Sequence, residues 1–194
     1  MTLRSVLFLL AFTTVFTAFS QDKTLPYYEI PDAPNSYTAT SVAARMIDGL
    51  GFRYYWATQG LRAEDLAYKP SESGRTSAET IDHIYGLSKV IVNATLIQAN
   101  SASEEPEMSF EEKRKKTLEN FKMASDILRK SDDLSKFKLI FKRGDNASEY
   151  PFWNNINGPI ADAIWHCGQV VMLRRASGNP FNSKVSVFNG KLRD

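Results

Sequence analysis

The 194-residue sequence has a single cysteine, Cys167, and two histidines, His83 and His166. One thiol excludes an intrachain disulfide framework and any cysteine-rich zinc module. With so few imidazoles, a Ser-His-Asp relay or a histidine-based metal site has to draw on these two positions. Excess charge is missing as well. Lys and Arg number 24 against 22 Asp and Glu, a formal +2, too balanced for a protein that holds nucleic acid through a strong positive field. No nucleic-acid partner is expected. Past the first twenty or so residues no apolar run reaches membrane-spanning length. What the chain does have, 43% apolar and 24% charged residues, is the composition of a globular domain.

Residues 1–20 stand apart. Arg4 precedes the uncharged run Val6-Leu7-Phe8-Leu9-Leu10-Ala11-Phe12, and Ala18-Phe19-Ser20 puts small residues where a signal peptidase reads. The expectation is a cleaved secretory leader and a mature protein from Gln21, secreted or periplasmic, with no stable membrane insertion. An uncleaved anchor is the competing reading, because the run through Phe16 barely reaches the ~18 residues of a span. No cysteine follows it to carry a lipid.

Residues 21–36 contain Pro26, Pro31 and Pro34 and read as an extended arm. From Tyr37 to Gln59, Val42, Met46, Ile47, Leu50, Tyr54 and Ala57 recur at helical spacing. Leu61 to Gly74 reads as a polar loop. Thr76-Ser77-Ala78-Glu79 is a capping box that opens a second helix, predicted from Ser77 to about Ala99 with Ile81, Ile84, Leu87, Ile91 and Thr95 inward. A second box, Ser109-Phe110-Glu111-Glu112, opens a third helix through about Lys130, with Phe110, Leu118, Phe121, Ala124 and Leu128 inward. The run Lys113-Arg114-Lys115-Lys116 within it reads as a solvated face.

Ser131 to Trp153 is long for a connection, and Phe137-Lys138-Leu139 followed by Phe141 hints at a short extended segment. The fourth helix begins between Trp153 and Pro159, carries Ile160, Ala163, Ile164, Cys167, Val170 and Val171, and stops at Gly178-Asn179-Pro180. A tail with Val185 and Val187 lies over the helices. Four amphipathic helices and no convincing strand predict an all-α fold, a single four-helix bundle over residues 37–194.

His83 falls at the edge of the second helix's apolar face, while Asp162 and His166, four apart, project from one side of the fourth. Two imidazoles and a carboxylate from facing helices can build a metal site with open positions. The plainer reading keeps both histidines as hydrogen-bonded core residues and Asp162 as a charge favoured near a helix start. Gln169 either orients a ligand or caps a neighbour. Tyr54, Tyr55, Trp56, Trp153 and Trp165 read first as core and rim packing, and Cys167 as a buried core thiol. The sequons at Asn93 and Asn146 read as chance matches.

The stretches Leu61-Arg62-Ala63-Glu64-Asp65-Leu66-Ala67-Tyr68-Lys69-Pro70 and Gly74-Arg75-Thr76-Ser77-Ala78-Glu79-Thr80-Ile81-Asp82-His83-Ile84, with Asp162-Ala163-Ile164-Trp165-His166-Cys167-Gly168-Gln169-Val170, resemble the DinB-like family of four-helix metalloproteins. The resemblance covers most of residues 37–178. It implies that His83 and His166 are metal ligands and that Asp162 stands where the family has a third histidine. The implied cofactor is a divalent transition metal, zinc, nickel or iron, all of which accept a carboxylate in that place. Gln169 would support the ligands, and Tyr54 or Trp153 would line the pocket.

Relatives of this kind imply a small-molecule substrate and either of two activities: transfer of a thiol to an electrophile, or metal-dependent hydrolysis. A secreted location favours hydrolysis, because small thiols are mainly cytoplasmic. The alternative is a non-catalytic binding or structural helical protein that has lost the metal. Whether the chain forms a homodimer is left open.

Overall fold

The computed structural model describes residues 25–102 and 106–194. The expected leader lies outside the described residues. Four long helices carry the fold: α1 (Ala39–Thr58), α3 (Ser77–Leu96), α4 (Phe110–Arg129) and α6 (Ala161–Ala176). A short α2 (Ala63–Ala67) precedes α3, and a short α5 (Trp153–Asn155) precedes α6. The four long helices pack in a ring in which α1 and α3 each touch α4 and α6. Among the described residues no helix is long and apolar enough to cross a membrane.

The capping boxes at Thr76 and Ser109 form as the sequence predicts. Each hydroxyl accepts the backbone amide three residues on, and Glu79 and Glu112 accept the amides of Thr76 and Ser109. Thr38 and Ser41 form a third box on α1. Inside the ring, Ile47, Leu50, Tyr54, Ile81, Ile84, Ile91, Leu118, Phe121 and Leu128 are fully or almost fully buried. In the first turns of α1, Ala43 and Ala44 are buried and Val42, expected inward, is exposed.

The all-α expectation describes most of the chain but misses a small sheet. Strands β1 (Ala99–Asn100), β2 (Lys138–Arg143) and β3 (Asn146–Pro151) lie side by side, with β1 parallel to β2 and β2 antiparallel to β3. Leu139 pairs with Tyr150 in this register, and Gly144, at φ 58°, makes the tight turn between the two longer strands. A further pair, β4 (Val185–Ser186) and β5 (Lys191–Leu192), folds the tail. Val185 is buried there and Val187 is exposed.

Three further expectations are corrected. The supposed polar loop after Leu61 contains α2. The arm is not extended over 25–29: turns there bury Tyr27 against α1, where Tyr27 donates to Asp48 at 3.1 Å and a Cβ on Gly51 would lie 2.4 Å from its ring. Ser125 and Arg129 of α4 hold the same Asp48 carboxylate. Arg114, read as part of a solvated run, is buried, because it reaches the end of α1 and donates to Thr58 Oγ1, Gln59 Oε1 and the Tyr55 carbonyl.

A wide, π-helical turn (Ile156–Ile160) joins α5 to α6. It contains Pro159, which has no amide to give an ordinary helical turn and whose ring would clash with the preceding one. The extra residue re-phases the helix just ahead of Asp162. At the other end of α6, Asp65 of α2 accepts from Arg62, Ser177 and Asn179, and Arg174 caps the last carbonyls of α1. α6 therefore runs antiparallel to α3, its start facing His83 and its end facing the chain that leads into α3.

Candidate metal centre

His83 is on the second turn of α3, and Asp162 and His166 occupy successive turns of α6. The structure brings all three together. Asp162 Oδ2 lies 3.1 Å from His83 Nε2, and its Oδ1 lies 3.3 Å from His166 Nε2. The rings meet edge to face, with centroids 4.6 Å apart. One ligand atom from each residue can be chosen so that all lie within 4.8 Å of one another. Donor atoms around a tetrahedral zinc sit about 3.4 Å apart, given metal–ligand lengths near 2.1 Å, so these three need shift only slightly to share one cation.

The protonation pattern suits the same purpose. His166 Nδ1 lies 2.6 Å from Gln169 Oε1, one turn on. An amide oxygen only accepts, so Nδ1 carries the hydrogen. In the neutral ring Nε2 is then a lone pair aimed at an Asp162 oxygen, another acceptor. Two acceptors at that distance are reconciled by a proton or by a metal ion between them. Gln169 thereby fixes the tautomer that a ligand histidine needs.

These groups open into a cleft of about 1030 Å³. Pro70, Arg75, Thr80, Trp165, Met172 and Leu173 help to line it. The side chain of His166 is only 13% exposed, while those of His83 and Asp162 are 37% and 36% exposed, so the ligand group has a protected side and an open one. Trp165 stacks on His166 and remains 71% exposed, as part of the cleft wall rather than of the core. A second hollow, of about 580 Å³ over the β2–β3 face, has Arg143 as its one charged lining residue.

Two residues named for the pocket are elsewhere. Tyr54 is fully buried against Phe121, and burial raises its phenol far above the ordinary range. Trp153 is 70% exposed at the start of α5 and does not line the cleft. Cys167, next to His166, turns the opposite way into the core, where burial pushes its thiol up to about 12 and leaves it protonated at neutral pH. Of Asn93 and Asn146, the first is half-buried and bonded to Asn100, and the second is exposed on β3.

Arg75, Met172 and Leu173 were not singled out by sequence pattern. Their common signal is position: Arg75 immediately precedes the Thr76 cap, and the other two continue the Trp165 side of α6 by about two turns. Comparison with known proteins adds no family to this geometry: no protein-family model matches the chain, and neither does any curated protein or solved structure.

Proposed function

We propose that this protein is a secreted, DinB-like four-helix metalloenzyme that holds one divalent transition metal at His83, Asp162 and His166 and acts hydrolytically on a small molecule in the adjoining cleft. The observation that carries this reading is the convergence of the three candidate ligand atoms, from two facing helices, on the wall of an open cleft. The donor set fits zinc, nickel or ferrous iron, since two imidazoles and one carboxylate leave positions free for substrate or water.

A cation held there would supply Lewis acidity, polarising a substrate oxygen and acidifying a water or thiol. The chain's own residues supply the rest. Gln169 holds His166 in the ligand tautomer, the Trp165 indole shields that ring from water, and the carboxylate of Asp162 balances part of the positive charge. The resemblance in the loop before α3 and along α6 supports the same family reading. Secretion rests on residues 1–20 alone.

Elemental analysis of the purified protein and of a His166→Ala variant tests the proposal. About one equivalent of zinc, nickel or iron in the parent and little in the variant is the expected outcome. A parent that stays metal-free in excess zinc and excess nickel, with its fold intact, overturns it and leaves a non-catalytic helical protein.

A further inference from the structure

The geometry points to Arg75 as the residue that reads an oxyanion on the substrate, making the ligand of this cleft an elongated small molecule with an anionic end, an apolar middle and its reacting end at His83, Asp162 and His166. Only the last of these features rests on the metal reading; the anion site stands on its own residues.

The cleft has two ends because α3 and α6 run antiparallel. At one end, His83 faces Asp162, His166 and Trp165. At the other, the loop into α3 brings Pro70 and Arg75 against Met172 and Leu173, the last turns of α6. From Ser77 to His83 the helix rises roughly 9 Å, so a ligand spanning both ends is several bonds long.

Arg75 is exposed and makes no hydrogen bond or ion pair among the described residues. Other arginines are committed: Arg62 to Asp65, Arg129 to Asp48, Arg114 and Arg174 to the end of α1. The charged groups around Arg75 do not neutralise it. Glu79 is held by the amide and hydroxyl of Thr76, which keep its carboxyl below the usual range with smaller help from Lys69 and Arg75. Lys69, the other cation of this loop, bonds the Glu72 carbonyl. Asp162, the one carboxylate lining the cleft, lies between two imidazoles.

A free guanidinium facing a cavity offers a planar fork of donors that matches carboxylate or phosphate oxygens. Along the α6 wall that joins the two ends, Trp165 near the first and Met172 near the second leave large apolar surfaces exposed. Such surface beside a free cation suits an amphipathic anion better than a sugar or a neutral polar metabolite.

The test compares 4-phenylbutyrate and 3-phenylpropylphosphonate with neutral 4-phenylbutyramide. Each is titrated calorimetrically into zinc-free protein, where direct attraction to a cation plays no part, and then into zinc-treated protein, with zinc content measured alongside. The anions are expected to bind at least about tenfold more tightly than the amide, with the preference lost in Arg75→Gln and partly kept in Arg75→Lys. The stronger of the two anions tells carboxylate from phosphate chemistry. Equal binding of anion and amide, a preference that survives Arg75→Gln, or no binding of any probe overturns the inference. If zinc fails to bind while the Arg75-dependent preference is found, the metal reading falls and the anion site stands. If zinc binds and the preference is independent of Arg75, the reverse holds.

Discussion

Asp65 and Asp162 are both shared by several partners, one against the end of α6 and the other near its start. Asp65 is wholly buried and accepts from Arg62, Ser177 and Asn179 in a knot that also joins α2 to the end of α6. Asp162 is one-third exposed and faces two imidazoles whose remaining surface opens on a cleft. The contrast lies in what is left to bind. The donors around Asp65 are used up, so the cluster fixes structure. Around Asp162 two imidazole nitrogens converge on one carboxylate beside an open cleft, an arrangement that a shared proton or a cation can bridge.

Breaking each cluster separates these roles. Asp65→Ala removes a buried acceptor from a partly exposed set of donors and is expected to lower unfolding free energy by about 2 kcal/mol, read by urea titration, with zinc binding by the folded protein unchanged. The same contrast has a pH signature. The Asp65 carboxyl is held far below the ordinary carboxylate range, chiefly by the Arg62 hydrogen bond. Its stabilisation is therefore full above about pH 4, where the unfolded-state carboxyl is ionised, and is lost as pH falls toward the native value. Thermal melts should show a steep loss of stability below about pH 4 in the parent and a shallower one in Asp65→Asn.

Asp162→Ala should do the opposite. Zinc affinity is expected to fall by at least about 100-fold, measured by competition with a chromophoric chelator, while metal-free stability changes by less than about 1 kcal/mol because the pairs are partly exposed. Asp162→His should restore binding by supplying a third imidazole. The smallest effect is expected one shell out: Gln169→Leu frees the tautomer of His166 and should weaken zinc binding by about tenfold with no change in stoichiometry.

Much of this organisation is legible in the sequence, and the gaps have physical causes. α3 and α4 could be placed to within a few residues because each has a capping box and a clean apolar stripe. β3 could not: Asn-Ala-Ser-Glu-Tyr-Pro has no apolar alternation, since the whole strand is exposed and is held by pairing to β2. Arg114 escaped notice because a buried arginine looks like any other cation in a charged run until its partners at the end of α1 are seen.

At the site, the i, i+4 spacing of Asp162 and His166 carried real information, as did His83 at the rim of an apolar face. Aromatic residues were less readable. Tyr54, Trp153 and Trp165 are similar in bulk, yet one fills the core, one stands clear in solvent and one walls the cleft. Bulk says that an aromatic will pack, while its partner is set by the ring of helices and by the wide turn ahead of α6.

The most direct measurement is anomalous diffraction at the zinc edge from crystals of the zinc-loaded protein. The account predicts one strong peak between α3 and α6, about 2.0–2.2 Å from a nitrogen of His83, a nitrogen of His166 and an oxygen of Asp162. Zinc on other residues, or no peak between these three in crystals that bind zinc elsewhere, contradicts it.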